Sequence, residues 1–111
     1  MSGETLPCRG EVWWVRVDKR RPAVVVQTDK VRESRVRSFL VVPLTSRLHL
    51  EGLPGNVRLD RRDTGLPKTS VANVYDVQKV LRADFVERLH ALPNERLAAV
   101  SGGLRLVLDL S

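Results

Sequence analysis

The chain has 111 residues, 42% of them hydrophobic and 29% charged, a size and balance that give one domain around one modest core. No apolar run reaches the roughly 20 residues a membrane span needs, residues 1–7 carry no signal-peptide hydrophobic stretch, and the single Cys8 admits no internal disulfide, so the cytoplasm is the expected compartment. Nineteen Lys+Arg against thirteen Asp+Glu leave +6 at pH 7 and a pI near 10.4, which favours a polyanion as partner, RNA or DNA before an acidic protein.

Residues 1–8 are expected to form a flexible leader and residues 9–111 a single domain. Residues 10–17 alternate as a first strand, with Val12, Trp14 and Arg16 on one face and Trp13, Val15 and Val17 on the other. One Trp suits the core; the other suits either the core or a surface platform for a base or a partner chain. Pro22 fixes its own φ and biases Arg21 toward an extended conformation, and Val24-Val25-Val26 predicts a buried strand over 23–27. Residues 28–38 predict a charged loop with a helical turn. A third strand over 39–44 runs out into Thr45-Ser46-Arg47, two hydroxyls and a cation. If these two strands lie side by side, Arg21 and Thr45 converge on a single phosphate.

Residues 45–52 form a polar bend, and Gly52-Leu53-Pro54-Gly55 is turn chemistry. A fourth strand is predicted over 56–59 and a fifth over 70–74, with 76–80 either continuing it or forming a sixth. Residues 82–90 suggest one helical turn, then a brief strand or connector into Ala91-Leu92. Pro93 opens a closing helix in which Leu97, Val100, Leu104 and Leu108 recur at helical spacing. Gly102-Gly103 weakens its middle by about 1 kcal/mol per residue. Strands first and an amphipathic helix last predict an α+β fold, a small twisted barrel of five to seven strands with helices packed outside.

The chemistry narrows by exclusion. His49 and His90 stand far apart, with neither a Cys cluster nor a His-x-x-x-His pair, so no metal site and no cofactor are expected. A Gly-rich phosphate loop and a G-x-S-x-G elbow are both missing from the sequence. What remains is Arg, Thr, Ser, Gln and Asn at strand ends, an inventory suited to a phosphodiester. Arg meets phosphate with paired hydrogen bonds and neutralises a phosphorane, whose oxygens a Thr or Ser hydroxyl can hold. Trp14, Arg20, Gln27, Ser46, Arg47, Asn73, Gln78 and Lys79 are the candidate binding residues, amides for base edges and cations for the backbone. Asn73 equally suits the capping of a strand end.

Six pieces of the sequence, in order, resemble the MazF/PemK (Kid) family of toxin endoribonucleases. They are Arg9-Gly10-Glu11-Val12-Trp13, Arg21-Pro22-Ala23-Val24-Val25-Val26, Val42-Pro43-Leu44-Thr45-Ser46, Gly52-Leu53-Pro54-Gly55-Asn56-Val57, Gly65-Leu66-Pro67-Lys68-Thr69-Ser70-Val71-Ala72-Asn73 and Leu104-Arg105-Leu106-Val107-Leu108-Asp109-Leu110. The resemblance implies an SH3-like barrel, a homodimer, and metal-independent, sequence-specific cleavage of single-stranded RNA by 2′-hydroxyl attack, leaving 2′,3′-cyclic phosphate and 5′-hydroxyl ends. It also implies an antitoxin that wraps the dimer with an acidic or amphipathic segment. The family's catalytic Arg falls on Arg21 and its catalytic Thr on Thr45.

One departure concerns the loop between the first two strands, often longer in the family and carrying an acidic residue. Here it shrinks to Asp18-Lys19-Arg20, leaving Asp18 or Glu11 as substitutes for that acid. Two readings compete with the ribonuclease: a CcdB-like toxin of the same fold that binds DNA gyrase, and a nuclease-dead binding module. The Arg21/Thr45 pair discriminates, because neither alternative needs it.

Overall fold

The protein is described here from a computed structural model covering residues 6–31 and 35–110. One antiparallel sheet is built from β1 Glu11–Arg16, β2 Arg20–Val25, β3 Ser38–Thr45, β4 Val57–Leu59, β5 Ser70–Ala72, β6 Gln78–Leu81 and β7 Phe85–Ala91. The strands run in the order β4-β5-β3-β2-β1-β7, and β6 also pairs with β3. A short helix α1, Arg61–Thr64, precedes β5, and the long helix α2, Asn94–Leu108, closes the chain. The fold is mixed α+β.

The centre of the sheet is apolar on both faces, which is why β2 and β3 read as continuous runs of Val. Val12, Val24, Val42 and Leu44 point into one core with Leu59, Leu66, Val74, Leu92 and Val100. The alternate residues Trp13, Val15, Ala23, Val25 and Val41 point into a second, with Phe39, Val80 and Phe85. Phe85 is the hub of the second core, meeting Trp13 and Phe39 edge-on, each at 5.5 Å between ring centres. Trp13 is thus a core residue, while Trp14 is half-buried at the margin of the first core.

Several boundaries differ from the sequence expectation. β2 starts at Arg20 rather than at 23, because Arg20 and Arg21 pair with Arg16 and Val15 across the hairpin. Residues 76–80 resolve into a separate strand: β5 and β6 follow one another along the edge of β3 away from β2, split by a 3-10 turn, Val74–Asp76. After a 3-10 turn at Arg82–Asp84, β7 is a full strand rather than a brief one, pairing with β1 from Glu11 to Val15 through two register shifts. Its outer residues Val86, Glu87 and Arg88 are exposed, so no alternation marked it in the sequence. In α2, Val107 takes the packing place expected of Leu108, which is 54% exposed. Of the charged loop, Asp29–Val31 form a 3-10 turn and residues 32–34 lie outside the described residues. The leader falls outside them up to residue 5, after which Pro7 is buried.

Two contacts fix the ends of the chain to the sheet. The Glu11 carboxylate accepts from Cys8 N at 2.8 Å, Trp13 Nε1 at 3.0 Å and Arg88 Nε at 2.8 Å, tying β1, β7 and the chain before them. Burial pushes the Glu11 carboxyl up, but these three bonds and the Arg88 charge outweigh it and hold its pKa below the ordinary value of 4.5. At the other end, α2 meets the turn at Gly55, which has φ +95°. A Cβ built on Gly103 would stand 2.0 Å from the Gly55 carbonyl oxygen, so only glycine lets the two backbones meet.

The two glycines of α2 therefore carry opposite expectations. Gly103→Ala is expected to destabilise by about 3 kcal/mol through overpacking. Gly102→Ala, with open space around it, is expected to stabilise by about 1 kcal/mol through helix propensity. Urea unfolding of both variants checks the sign. For Glu11, a lowered folded pKa means its ionised form stabilises the fold above pH 4.5 and that contribution is lost as pH falls through the folded value. Glu11→Gln is expected to melt earlier than wild type at pH 7, the gap closing as the pH is taken progressively below 4.5. Thermal melts across that range decide it.

Candidate active site

The β2–β3 ladder ends at the pair Ala23↔Pro43. Beyond it β3 pairs with β5 instead, Leu44 with Ala72 and Thr45 with Val71. Pro43 has no N–H to give, and its carbonyl accepts from Asn73 N at 3.0 Å, on the β5 side. The ends of β2 and β3 thus part, and between them opens a cleft of about 430 Å³. Lys19, Arg20, Arg21 and Pro22 line one wall, and Pro43, Leu44, Thr45, Ser46 and Arg47 the other. Leu50, Asn73 and Asp76 complete it.

Of the residues singled out in the sequence, Arg20, Arg21, Thr45, Ser46, Arg47 and Asn73 are brought together here. Arg21 is held in a fork by Asp18, Nε to Oδ1 at 3.1 Å and Nη2 to Oδ2 at 3.3 Å. The hydrogen bond from Arg21, reinforced by its charge, lowers the pKa of Asp18. The same bond and charge from Asp18 raise that of Arg21, to which the charge of Asp76 adds. Both groups are solvent-exposed, so the pair orients Arg21 more than it stabilises the fold. Thr45 Oγ1 accepts from Arg47 N at 3.2 Å, a short turn that leaves the hydroxyl proton of Thr45 available.

Arg20 has two further attachments: Nη2 bonds Glu87 Oε1 at 2.9 Å, and its guanidinium lies 5.0 Å from the centre of the Trp14 ring. Trp14 therefore braces Arg20 from outside the cleft lining. Gln27, Gln78 and Lys79 also lie outside that lining. Gln27 spends its amide on the backbone, donating to Ser38 O at 3.3 Å and accepting from Leu40 N at 3.2 Å. Gln78 Nε2 donates to Asp76 Oδ2 at 3.0 Å, and Lys79 is exposed opposite Leu40 on β6. Of the two substitute acids, Asp18 reaches the cleft through its fork on Arg21, itself outside the lining. Glu11 does not: it is at the opposite end of β1, occupied by its three donors.

Sequence reasoning missed Asp76. The available signal was Asn73, which caps the turn Val74–Asp76 by accepting from Tyr75 N, a place Asn commonly takes at the start of a helical turn. The sequence pattern puts Asp76 at the start of a strand over 76–80, whereas it closes the turn before β6. Among the described residues, no helix is long and apolar enough to cross a membrane, and no group of three or more His, Cys, Asp and Glu side chains is gathered as metal ligands are.

Residues 8–108 match the model of the PemK-like, MazF-like toxin of type II toxin-antitoxin systems. Endoribonuclease MazF6 of Mycobacterium tuberculosis is 34% identical over 110 residues, covering 92% of this chain and 96% of that protein. The probable endoribonuclease MazF5 of the same organism is 36% identical over 108 residues, 96% of each chain. Among solved structures, MazE-MazF of Deinococcus radiodurans superimposes with a TM-score of 0.80 at 25% identity, over 97% of this chain and all of that one. With one family model spanning nearly its whole length and named endoribonucleases among its relatives, the chain belongs to the MazF/PemK family of endoribonuclease toxins.

Proposed function

We propose that this toxin cleaves single-stranded RNA at the cleft between β2 and β3, without a metal ion, and that Arg21 and Thr45 carry the reaction. The observation that supports this reading is the meeting of Arg21, Thr45, Arg47 and Asn73 in one cleft where two strands part. The O2′–P bond forms as the P–O5′ bond breaks. The 2′ proton passes to a carboxylate, and the 5′-oxygen takes up a proton from solvent water as it leaves, the cleft being open. Arg21, charged at all working pH, neutralises the phosphorane, and the Thr45 hydroxyl donates to a non-bridging oxygen.

Asp18 supplies the base in this scheme. In the free protein it occupies the fork of Arg21. A phosphate entering the cleft competes for the same two N–H groups, and the displaced carboxylate regains its ordinary affinity for a proton. Asp76 holds Gln78 meanwhile and contributes field rather than proton transfer. Lys19, Arg20 and Arg47 track the RNA backbone, and the short Asp18-Lys19-Arg20 loop leaves the groove open.

The wider assembly follows the same reading. Residues 9–111 form one domain of SH3-like architecture, its sheet left open between β4 and β7, and two copies pair to give a groove long enough for several nucleotides. The family's antitoxin systems imply a protein partner for this chain. A basic toxin of charge +6 that exposes Leu106, Leu108 and Leu110 suits a segment both acidic and amphipathic.

Incubation with a long mixed-sequence RNA in excess EDTA, followed by end mapping, tests the activity. Discrete cuts with 5′-hydroxyl ends are expected. Arg21→Ala and Thr45→Ala are expected to lose roughly 10²–10³ in rate, and Asp18→Asn roughly 10². Intact RNA from folded, dimeric protein would overturn the ribonuclease and point to gyrase binding instead.

A further inference from the structure

We propose that Asn56 is a positioning residue that turns the amide of Asn73 so that its NH2 group, not its oxygen, faces RNA in the cleft. The inference rests on the RNA-cleaving reading for its ligand, but its geometry stands on the hydrogen bonds alone.

The polarity begins at two backbone groups that have no choice of role. Val74 N–H can only donate, and it gives to Asn56 Oδ1 at 2.8 Å. The Leu50 carbonyl can only accept, and it takes from Asn56 Nδ2 at 3.0 Å. Between them they fix which end of the Asn56 amide is oxygen and which is nitrogen. The second hydrogen on Asn56 Nδ2 then points at Asn73, 3.2 Å from Oδ1. A third backbone donor, Tyr75 N–H, meets the same Asn73 oxygen at 3.3 Å. With Oδ1 engaged twice, a flip of Asn73 would set NH2 against two donors at once.

What is left of Asn73 is Nδ2, which has no protein partner among the described residues while Asn73 lines the cleft. Its two N–H groups are donors only, so they suit an RNA acceptor, a phosphate oxygen or a base atom bearing a lone pair. Asn56 touches three separate pieces of the wall: the 3-10 turn Leu48–Gly52 through Leu50, the Asn73 side chain, and the turn Val74–Asp76 through Val74. It lies outside the cleft lining itself, so it acts through Asn73 rather than on RNA. Tyr75 Oη donates to Pro54 O at 2.6 Å and so ties the turn Val74–Asp76 to the chain just before Asn56.

The test uses the full chain as wild type, Asn56→Asp, Asn73→Ala and the double variant, with an RNA oligonucleotide carrying the mapped cleavage site. Asn56→Asp keeps the acceptor for Val74 N–H and replaces the NH2 with a second acceptor, which favours a flipped Asn73 with its oxygen toward RNA. KM is expected to rise about tenfold with kcat within about threefold; the protein stays folded at the assay temperature, its melting temperature lowered by several degrees because Leu50 O loses one of its donors. The double variant is expected to be no worse than Asn73→Ala alone, the mark of one residue acting through another. Folded Asn56→Asp with a wild-type KM, or losses that multiply in the double variant, would overturn the inference.

Hydrogen exchange of the side-chain amides in the free wild-type protein is a second readout that needs no activity and no mutant. Slow exchange at Asn56 Nδ2 with fast exchange at Asn73 Nδ2 is expected; a protected Asn73 Nδ2 would overturn the orientation even if Asn56→Asp failed to fold. A wild-type protein that cuts no RNA would instead remove the ligand and leave the exchange result to judge the geometry.

Discussion

The site depends on the point where the β2–β3 ladder stops. At Ala23↔Pro43 the sheet gives up one partner for another, and a strand that has lost its neighbour on one side has a row of polar groups and side chains to offer a ligand. Pro22 favours that exchange. From Val26 back through Val24 the main chain faces β3 at every second residue, and at Pro22 the next rung has no N–H to give, while Pro43 turns its carbonyl to Asn73. The two buried cores behind β2 and β3 hold the parted ends at a fixed spacing. Rigid strands on one side of a gap and short turns on the other is an arrangement suited to holding a phosphate still.

The electrostatics of the gap are less uniform than the charge of the chain. Four basic residues line it, yet Asp76 stands among them and Asp18 grips Arg21 from beside the lining, each within the field of Arg21. An arginine left without a partner in free solution would swing among many rotamers. Forked on Asp18, it is presented in one of them, and the phosphate exchanges one anion for another rather than ordering a loose side chain. Trp14 and Glu87 brace Arg20 in a similar way from the far side.

Much of this was legible in the sequence because the relevant signals are local. Alternation in β1 named the two faces, and the faces observed are those: Val12 and Trp14 toward one core, Trp13 and Val15 toward the other. The Arg-Pro and Val-Pro pieces located Arg21 and Thr45 at strand ends, and the cleft gathers both. What escaped notice was set by tertiary pairing. β7 exposes three successive residues and earns its strand state from β1, so no periodicity announced it. Its strand-end place makes Gln27 a candidate amide for a base edge, yet it continues the β2–β3 connection by bonding Ser38 and Leu40. Gly103 looked like a weak spot in a helix and is a contact point, a distinction only the partner backbone at Gly55 reveals.

That contact has a consequence for how the fold closes. The turn at Gly55 leads directly into Asn56, which braces the cleft through Leu50 and Asn73, and it leans on α2. β1, likewise, is covered along its outer edge by β7. Contacts between segments far apart in sequence must overcome the entropy of closing long loops, so the support behind the cleft sets only once these distant elements have met. Loosening the seat of α2 is therefore a way to slacken the cleft from behind, at a distance from every side chain that lines it.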